Sequence, residues 1–122
     1  MRSINSPSVL LAFGIAILLA FAFLGSRGIW DPDEGRYTNV ALNMLESGDW
    51  VHPMRNDYVG HWTKPPLTYW AIAASIGAFG SNPWAARLPC ALSYLACVWL
   101  VWRIARRLVP ERANEAALIY AT

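Results

Sequence analysis

Hydrophobic and polar positions fall in long blocks along this chain. Residues 3–26 carry no charge, and the run 9–25 is almost wholly apolar over 17 residues. With its uncharged flanks, such a run crosses roughly 30 Å of hydrocarbon at about 1.5 Å per residue. It predicts a transmembrane helix over 8–26. A cleaved signal peptide is the alternative, since Arg2 precedes the run. Signal peptides have apolar cores of only about 7–15 residues and a small-x-small cleavage site. Gly25-Ser26-Arg27-Gly28 is a poor site of that kind. A second charge-free stretch, 88–102, sits inside a predicted helix over 83–108, with Ser81 or Asn82 as its cap and Pro83 in its first turn. Pro89 falls early in this helix, where a missing N–H does least harm. Between the two lies 66–80, apolar but only 15 residues long. As a helix it reaches about 22 Å, which predicts an interfacial segment and not a crossing.

A shorter period marks a third kind of element. Tyr37, Val40, Ala41, Met44 and Leu45 fall on one stripe of helical period, with Asn39, Asn43 and Glu46 on the other side and Gly48 as a stop. The pattern predicts a helix over about 32–47, too short to span, lying on the membrane or on other protein. Residues 111–122 begin like a helix and turn apolar, as the start of a possible third span would. The expected fold class is therefore an all-α membrane protein with two transmembrane helices and an outer loop over 27–82. The chain itself is expected to be a fragment, or the product of an incomplete gene.

Charge sets the expected orientation. Arg103, Arg106, Arg107 and Arg112 follow the second charge-free stretch, and the positive-inside rule puts them and Arg2 in the cytoplasm. Two crossings satisfy this; a third at 66–80 would move the arginine cluster outside. The segment 27–64 carries six acids and four bases, as a translocated loop can. Trp30, Trp62, Trp70 and Trp84 fall near the outer interface and Trp102 near the inner one, and each is read as an interfacial anchor. Only 15% of residues are charged, against about 25% in soluble domains. A net charge of +2 gives no footprint for nucleic acid. Cys90 and Cys97 stand about 10 Å apart on a helix, too far for a disulfide.

Candidate chemistry gathers at Trp30-Asp31-Pro32-Asp33-Glu34-Gly35-Arg36-Tyr37. Asp31 as N-cap, Pro32 at N1, Asp33 at N2 and Glu34 at N3 form a capping box, and acids there complement the helix dipole. Capping has no need of Asp33, which leaves one carboxylate over. Lys64 stands before two prolines, hence in extended backbone. It reads either as a cation held at the lipid surface for a phosphate or as a snorkelling side chain, and Arg36 and Arg55 share that ambiguity. Arg87 reads as a snorkelling residue that could also meet a headgroup or an acid from a part of the protein outside this chain. His52 and His61 have no zinc-ligand spacing and read as loop histidines. Neither a glycine-rich nucleotide cradle nor a Gly-x-Ser-x-Gly motif occurs in the chain.

Taken together, Asp33-Glu34-Gly35-Arg36-Tyr37, then Ser47-Gly48-Asp49-Trp50, then Lys64-Pro65-Pro66-Leu67-Thr68-Tyr69-Trp70, then Ala86-Arg87-Leu88-Pro89 resemble the first outer loop of a bacterial membrane glycosyltransferase family. These are the polyprenyl-phosphate-dependent enzymes of the aminoarabinose-transferase and protein-mannosyltransferase-like kind. The resemblance covers nearly the whole chain after Trp30. It implies a C-type glycosyltransferase fold and transfer of a sugar from a polyprenyl-phosphate carrier to a lipid, glycan or protein acceptor at the outer face. It implies Asp33 as the essential acid, as base or organiser of the acceptor site, with Glu34, Arg36, Tyr37 and Lys64 binding substrate. Inversion at the sugar carbon, a possible divalent metal ion and a place in the bacterial inner membrane follow from the same likeness. Thr63 departs from a glutamate that some aminoarabinose transferases carry before the lysine, which argues against aminoarabinose as the sugar. The alternatives are a small two-span structural or partner-binding protein, and a lipid-linked-sugar binding module without catalysis. By itself the 122-residue piece is expected to be inactive.

Overall fold

The computed structural model describes residues 7–30, 32–56 and 58–122. Arg2 and the expected N-cap Asp31 therefore lie outside the described residues. The chain is mostly helical and divides into two compact units, Leu24–Pro89 and Met1–Phe23 with Cys90–Thr122. Helix α1 is Pro7–Phe21, α2 Asp33–Ser47, α3 Leu67–Phe79, α4 Pro83–Leu108 and α5 Ala113–Ala121, the last entered through a 3-10 turn at Pro110–Arg112. A small hairpin, β1 Met54–Asn56 and β2 Val59–Gly60, pairs Met54 with Gly60 and Asn56 with Val59.

Two features depart from the sequence pattern. Helix α1 stops at Phe21, and turns follow it to Arg27, where a helix over 8–26 was expected. The carbonyls of Leu24, Arg27 and Gly28 in and after these turns accept hydrogen bonds from Arg87. Among the described residues α4 alone is long and apolar enough to cross a membrane; α1 and α3 are shorter apolar helices. The hairpin is the second departure, since an all-α chain was expected. Its strands of three and two residues are too short to show a period of two. They are held instead by α2, whose Asn39 and Asn43 amides donate to the carbonyls of Arg55 and Met54 at 2.7 and 3.0 Å.

The unit Leu24–Pro89 builds its core from the apolar stripe of α2 against α3. Val40, Ala41 and Met44 are buried with Tyr69, Ile72, Ala73 and Ile76. Gly48 ends α2 in the left-handed region at φ 72°, and its N–H caps the Met44 carbonyl at 3.0 Å. The Asn82 side chain caps α4 by accepting from the N–H of Ala85 at 2.9 Å, with Pro83 as the first helical residue. Pro89 has no N–H to give the carbonyl of Ala85, four residues back. The buried hydroxyl of Ser75 supplies that bond at 2.6 Å. A helix interior is thus kept intact by a donor from α3.

In the other unit, Val9, Ala12 and Ala16 of α1 pack with Val98, Trp102 and Ala105 of α4 and with Ala113, Ala117 and Ala121 of α5. Small residues let these helix backbones approach closely. Trp102 stacks edge-on against Phe13 and donates to Asn114 at 3.2 Å, and Asn114 in turn donates to Ser8 at 2.8 Å. Trp102 is therefore a packing residue as well as a candidate anchor.

Candidate active site

Helix α2 presents its acids and bases from its first turn. Asp33, the first helical residue, exposes 70% of its side chain, and its Oδ1 lies 3.5 Å from Nη1 of Arg36. Acids here meet the positive end of the helix dipole. Glu34, its neighbour, is turned inward. Its Oε2 accepts from the backbone N–H of Trp30 at 2.8 Å and from Nη2 of Arg87 at 3.0 Å, while Oε1 accepts from Nε of Arg87. The hydrogen bonds from Arg87, aided by the Trp30 N–H, hold its carboxyl down to about 2 against the opposing effect of burial. Two adjacent acids therefore have opposite surroundings: one is open, and the other is saturated.

Tyr37 carries the site toward the lysine. Its ring packs 5.9 Å from Tyr69 and 6.3 Å from His61, and those two rings are 5.8 Å apart. His61 and Tyr69 stand on either side of Lys64 in the chain, so the cluster brings the Lys64 segment to the flank of α2. Lys64 itself is exposed, just ahead of α3. His61 is buried, not a free loop histidine, and Thr63 Oγ1 lies 3.1 Å from its Nε2. Burial, with the nearby charges of Arg36 and Arg55, pushes its imidazole below the ordinary value and favours the uncharged ring. Among the described residues, Arg36 Nε lies out of solvent without a hydrogen-bond partner.

Arg55 lies in β1, with its carbonyl tied to Asn39. Asp49 accepts from the N–H groups of Val51 and His52 and from the His52 ring at 2.8 Å, closing the loop after α2. That engages His52 in loop structure. Trp70 donates to the carbonyl of Trp50 at 2.6 Å, a role beyond anchoring. No three His, Cys, Asp or Glu side chains gather among the described residues as a metal site.

Sequence reasoning missed the partners of Arg87. The only available signal was an arginine near the start of a long apolar helix, and its acid lies 53 residues earlier.

The comparisons with known proteins fall on these same segments. Residues 63–122 match the family described as dolichyl-phosphate-mannose-protein mannosyltransferase. Over 118 residues, 93% of the chain, the sequence is 41% identical to undecaprenyl phosphate-alpha-4-amino-4-deoxy-L-arabinose arabinosyl transferase 2 of Pseudomonas fluorescens strain Pf-5, covering 19% of that protein. It is 42% identical over the same length to transferase 1 of strain Pf0-1, covering 20% of it. Among solved structures, ArnT from Cupriavidus metallidurans in the apo state superposes with a TM-score of 0.77 at 35% identity, over 92% of this chain and 21% of that one. Its structure bound to undecaprenyl phosphate superposes with a TM-score of 0.72 at 36% identity, over 81% and 18%. The chain thus spans about a fifth of the length of the curated relatives it matches. At this identity, shared fold and shared ordered motifs point to one origin with the bacterial polyprenyl-phosphate glycosyltransferases, about a fifth of whose length the chain matches.

Proposed function

We propose that the full-length protein carrying this chain transfers a sugar from a polyprenyl-phosphate carrier to an acceptor at the outer face of the bacterial inner membrane. One observation carries the reading: the first turn of α2 holds an open carboxylate at Asp33 with the Arg36 guanidinium beside it. It does so in a chain similar to named undecaprenyl-phosphate arabinosyl transferases. The similar ArnT structure with undecaprenyl phosphate supports a lipid-linked donor.

In this reading α1 with the turns after it and α4 cross the membrane, while α2, the hairpin and α3 lie at the outer surface. A polyprenyl carrier keeps its tail in the bilayer and its phosphate at the headgroup level, so the reacting groups must stand at that level. Asp33 takes the proton of the acceptor hydroxyl as its oxygen attacks the anomeric carbon. The bond from that carbon to the phosphate oxygen breaks, and the electron pair leaves with the lipid phosphate. Arg36 and Lys64 meet the charge that develops there, which lowers the barrier because the interaction strengthens toward the transition state. Tyr37, whose ring packs against His61 and Tyr69, shapes the donor site in this reading. A single displacement inverts the anomeric carbon. The acceptor is a lipid, a glycan or a protein.

Lys64→Ala tests the donor contact. A charge-assisted bond to phosphate contributes about 1.5–3 kcal/mol. In proteoliposomes, the full-length variant is therefore expected to lower kcat/KM for a polyprenyl-phosphate-linked sugar at least about tenfold, through kcat as well as KM. Unchanged KM and turnover would remove Lys64 from the site. Binding of the donor without any transfer by the unmodified protein would replace the enzyme by a binding module.

A further inference from the structure

We infer that Glu34 and Arg87 form a positioning pair that sets the direction of Asp33 and Arg36 and acts on transfer without touching substrate. This rests on the reading of Asp33 as the base. The geometry is a closed account of donors and acceptors. A guanidinium has five N–H donors. In Arg87, Nε goes to Glu34 Oε1; Nη1 goes to the carbonyls of Leu24 and Arg27 at 2.8 and 2.9 Å; Nη2 goes to the Gly28 carbonyl at 2.8 Å and to Glu34 Oε2. Every donor is used, and only 12% of the side chain is exposed. Arg87 therefore has no donor left for a lipid phosphate. Glu34 is equally committed, with both oxygens occupied and 27% of its side chain exposed.

What the pair fixes is the azimuth of the first turn of α2. Successive helical residues are about 100° apart around the axis, so pinning Glu34 against Arg87 pins the directions of Asp33 and Arg36. The anchoring carbonyls at Leu24, Arg27 and Gly28 hold the entering chain to the same guanidinium. Arg87 is thus the point where the chain before α2, the first turn of α2 and the first turns of α4 meet. A catalytic carboxylate displaced by about 1 Å loses on the order of 10²-fold in rate, so such a device bears on turnover more than on binding.

The test uses the full-length protein in proteoliposomes with Glu34→Gln, Arg87→Lys and the double variant. Lysine keeps the charge but lacks the planar fork, so it cannot rebuild the five bonds. Each single change is expected to lower kcat about 10–100-fold while the donor KM stays within about threefold. The double variant is expected to be no slower than the worse single one, because both act through one contact. Losses that multiply, or a raised donor KM with kcat intact, would overturn the inference and make Glu34 a substrate contact. Should Arg87→Lys fail to fold, the nearly isosteric Glu34→Gln decides alone by the same kcat-against-KM split. Hydrogen exchange at the amides of Gly35 and Arg36 gives a readout independent of catalysis. It is expected to quicken in Glu34→Gln, and unchanged exchange would contradict the pair. If Asp33→Asn kept full turnover while that exchange still quickened, the base assignment would fail and the latch would stand.

Discussion

Asp33→Asn is expected to reduce sugar transfer by the full-length protein about 10²–10⁴-fold, the range that general-base catalysis supplies. Asparagine has nearly the same shape, so the change isolates the proton acceptor. Asp33 is mostly exposed and its ion pair with Arg36 is long, at 3.5 Å. Folding stability is accordingly expected to move by no more than about 0.5 kcal/mol, as for other surface changes. The donor KM is expected to stay near its original value, because the phosphate contacts lie on Arg36 and Lys64. Steady-state transfer in proteoliposomes, with thermal unfolding as the control for folding, checks this. Full turnover in a folded Asp33→Asn protein would end the catalytic assignment.

Arg87→Ala is expected to be the most destabilising change in the unit Leu24–Pro89. Removing one partner of a buried ion pair costs about 3–5 kcal/mol, because the other charge is left uncompensated. Glu34 keeps some solvent contact, which places the expected loss near the low end, about 3 kcal/mol. Three carbonyls lose their donor in the same step. The pH dependence carries the same signature. The folded protein holds Glu34 down to about 2 against an ordinary 4.5, so the unfolded chain binds the proton first as pH falls. The contribution is complete above about 4.5 and lost progressively as pH falls toward 2. Arg87→Ala is expected to remove that part of the acid limb together with the stability at pH 7. Denaturant unfolding at pH 7 and pH 3 measures both; a loss below about 1 kcal/mol would contradict the latch.

Local pattern made some of this legible and distance hid the rest. The stripe through Tyr37, Val40, Ala41, Met44 and Leu45 could be read because a helix repeats every 3.6 residues, and the burial of Val40, Ala41 and Met44 follows from it. Ser81 or Asn82 before Pro83 announced a helix start for an equally local reason, and Asn82 is the cap. The family likeness could be read because four short motifs occur in order. Pairing across long separations left no such trace. Asn39 and Asn43 fall opposite the apolar stripe with no partner signalled nearby in the sequence, yet they hold the backbone of β1. Pro89 looked harmless by position alone, whereas Ser75 supplies the bond it lacks. At the site, Asp33, Glu34 and Arg36 were visible as a cluster, but which acid is open depends on Arg87. The aromatic contact that brings Tyr37 to both sides of Lys64 also needed three dimensions.

The whole proposal requires Asp33 and Lys64 to meet the same surface of the membrane from outside. Single cysteines at these two positions, in the full-length protein with every native cysteine, Cys90 and Cys97 included, changed to serine, can be challenged with a membrane-impermeant maleimide in intact spheroplasts. Both are expected to label without permeabilisation, and an added polyprenyl phosphate is expected to slow the reaction at position 64. Labelling only after the membrane is opened, or at one position but not the other, would contradict the account.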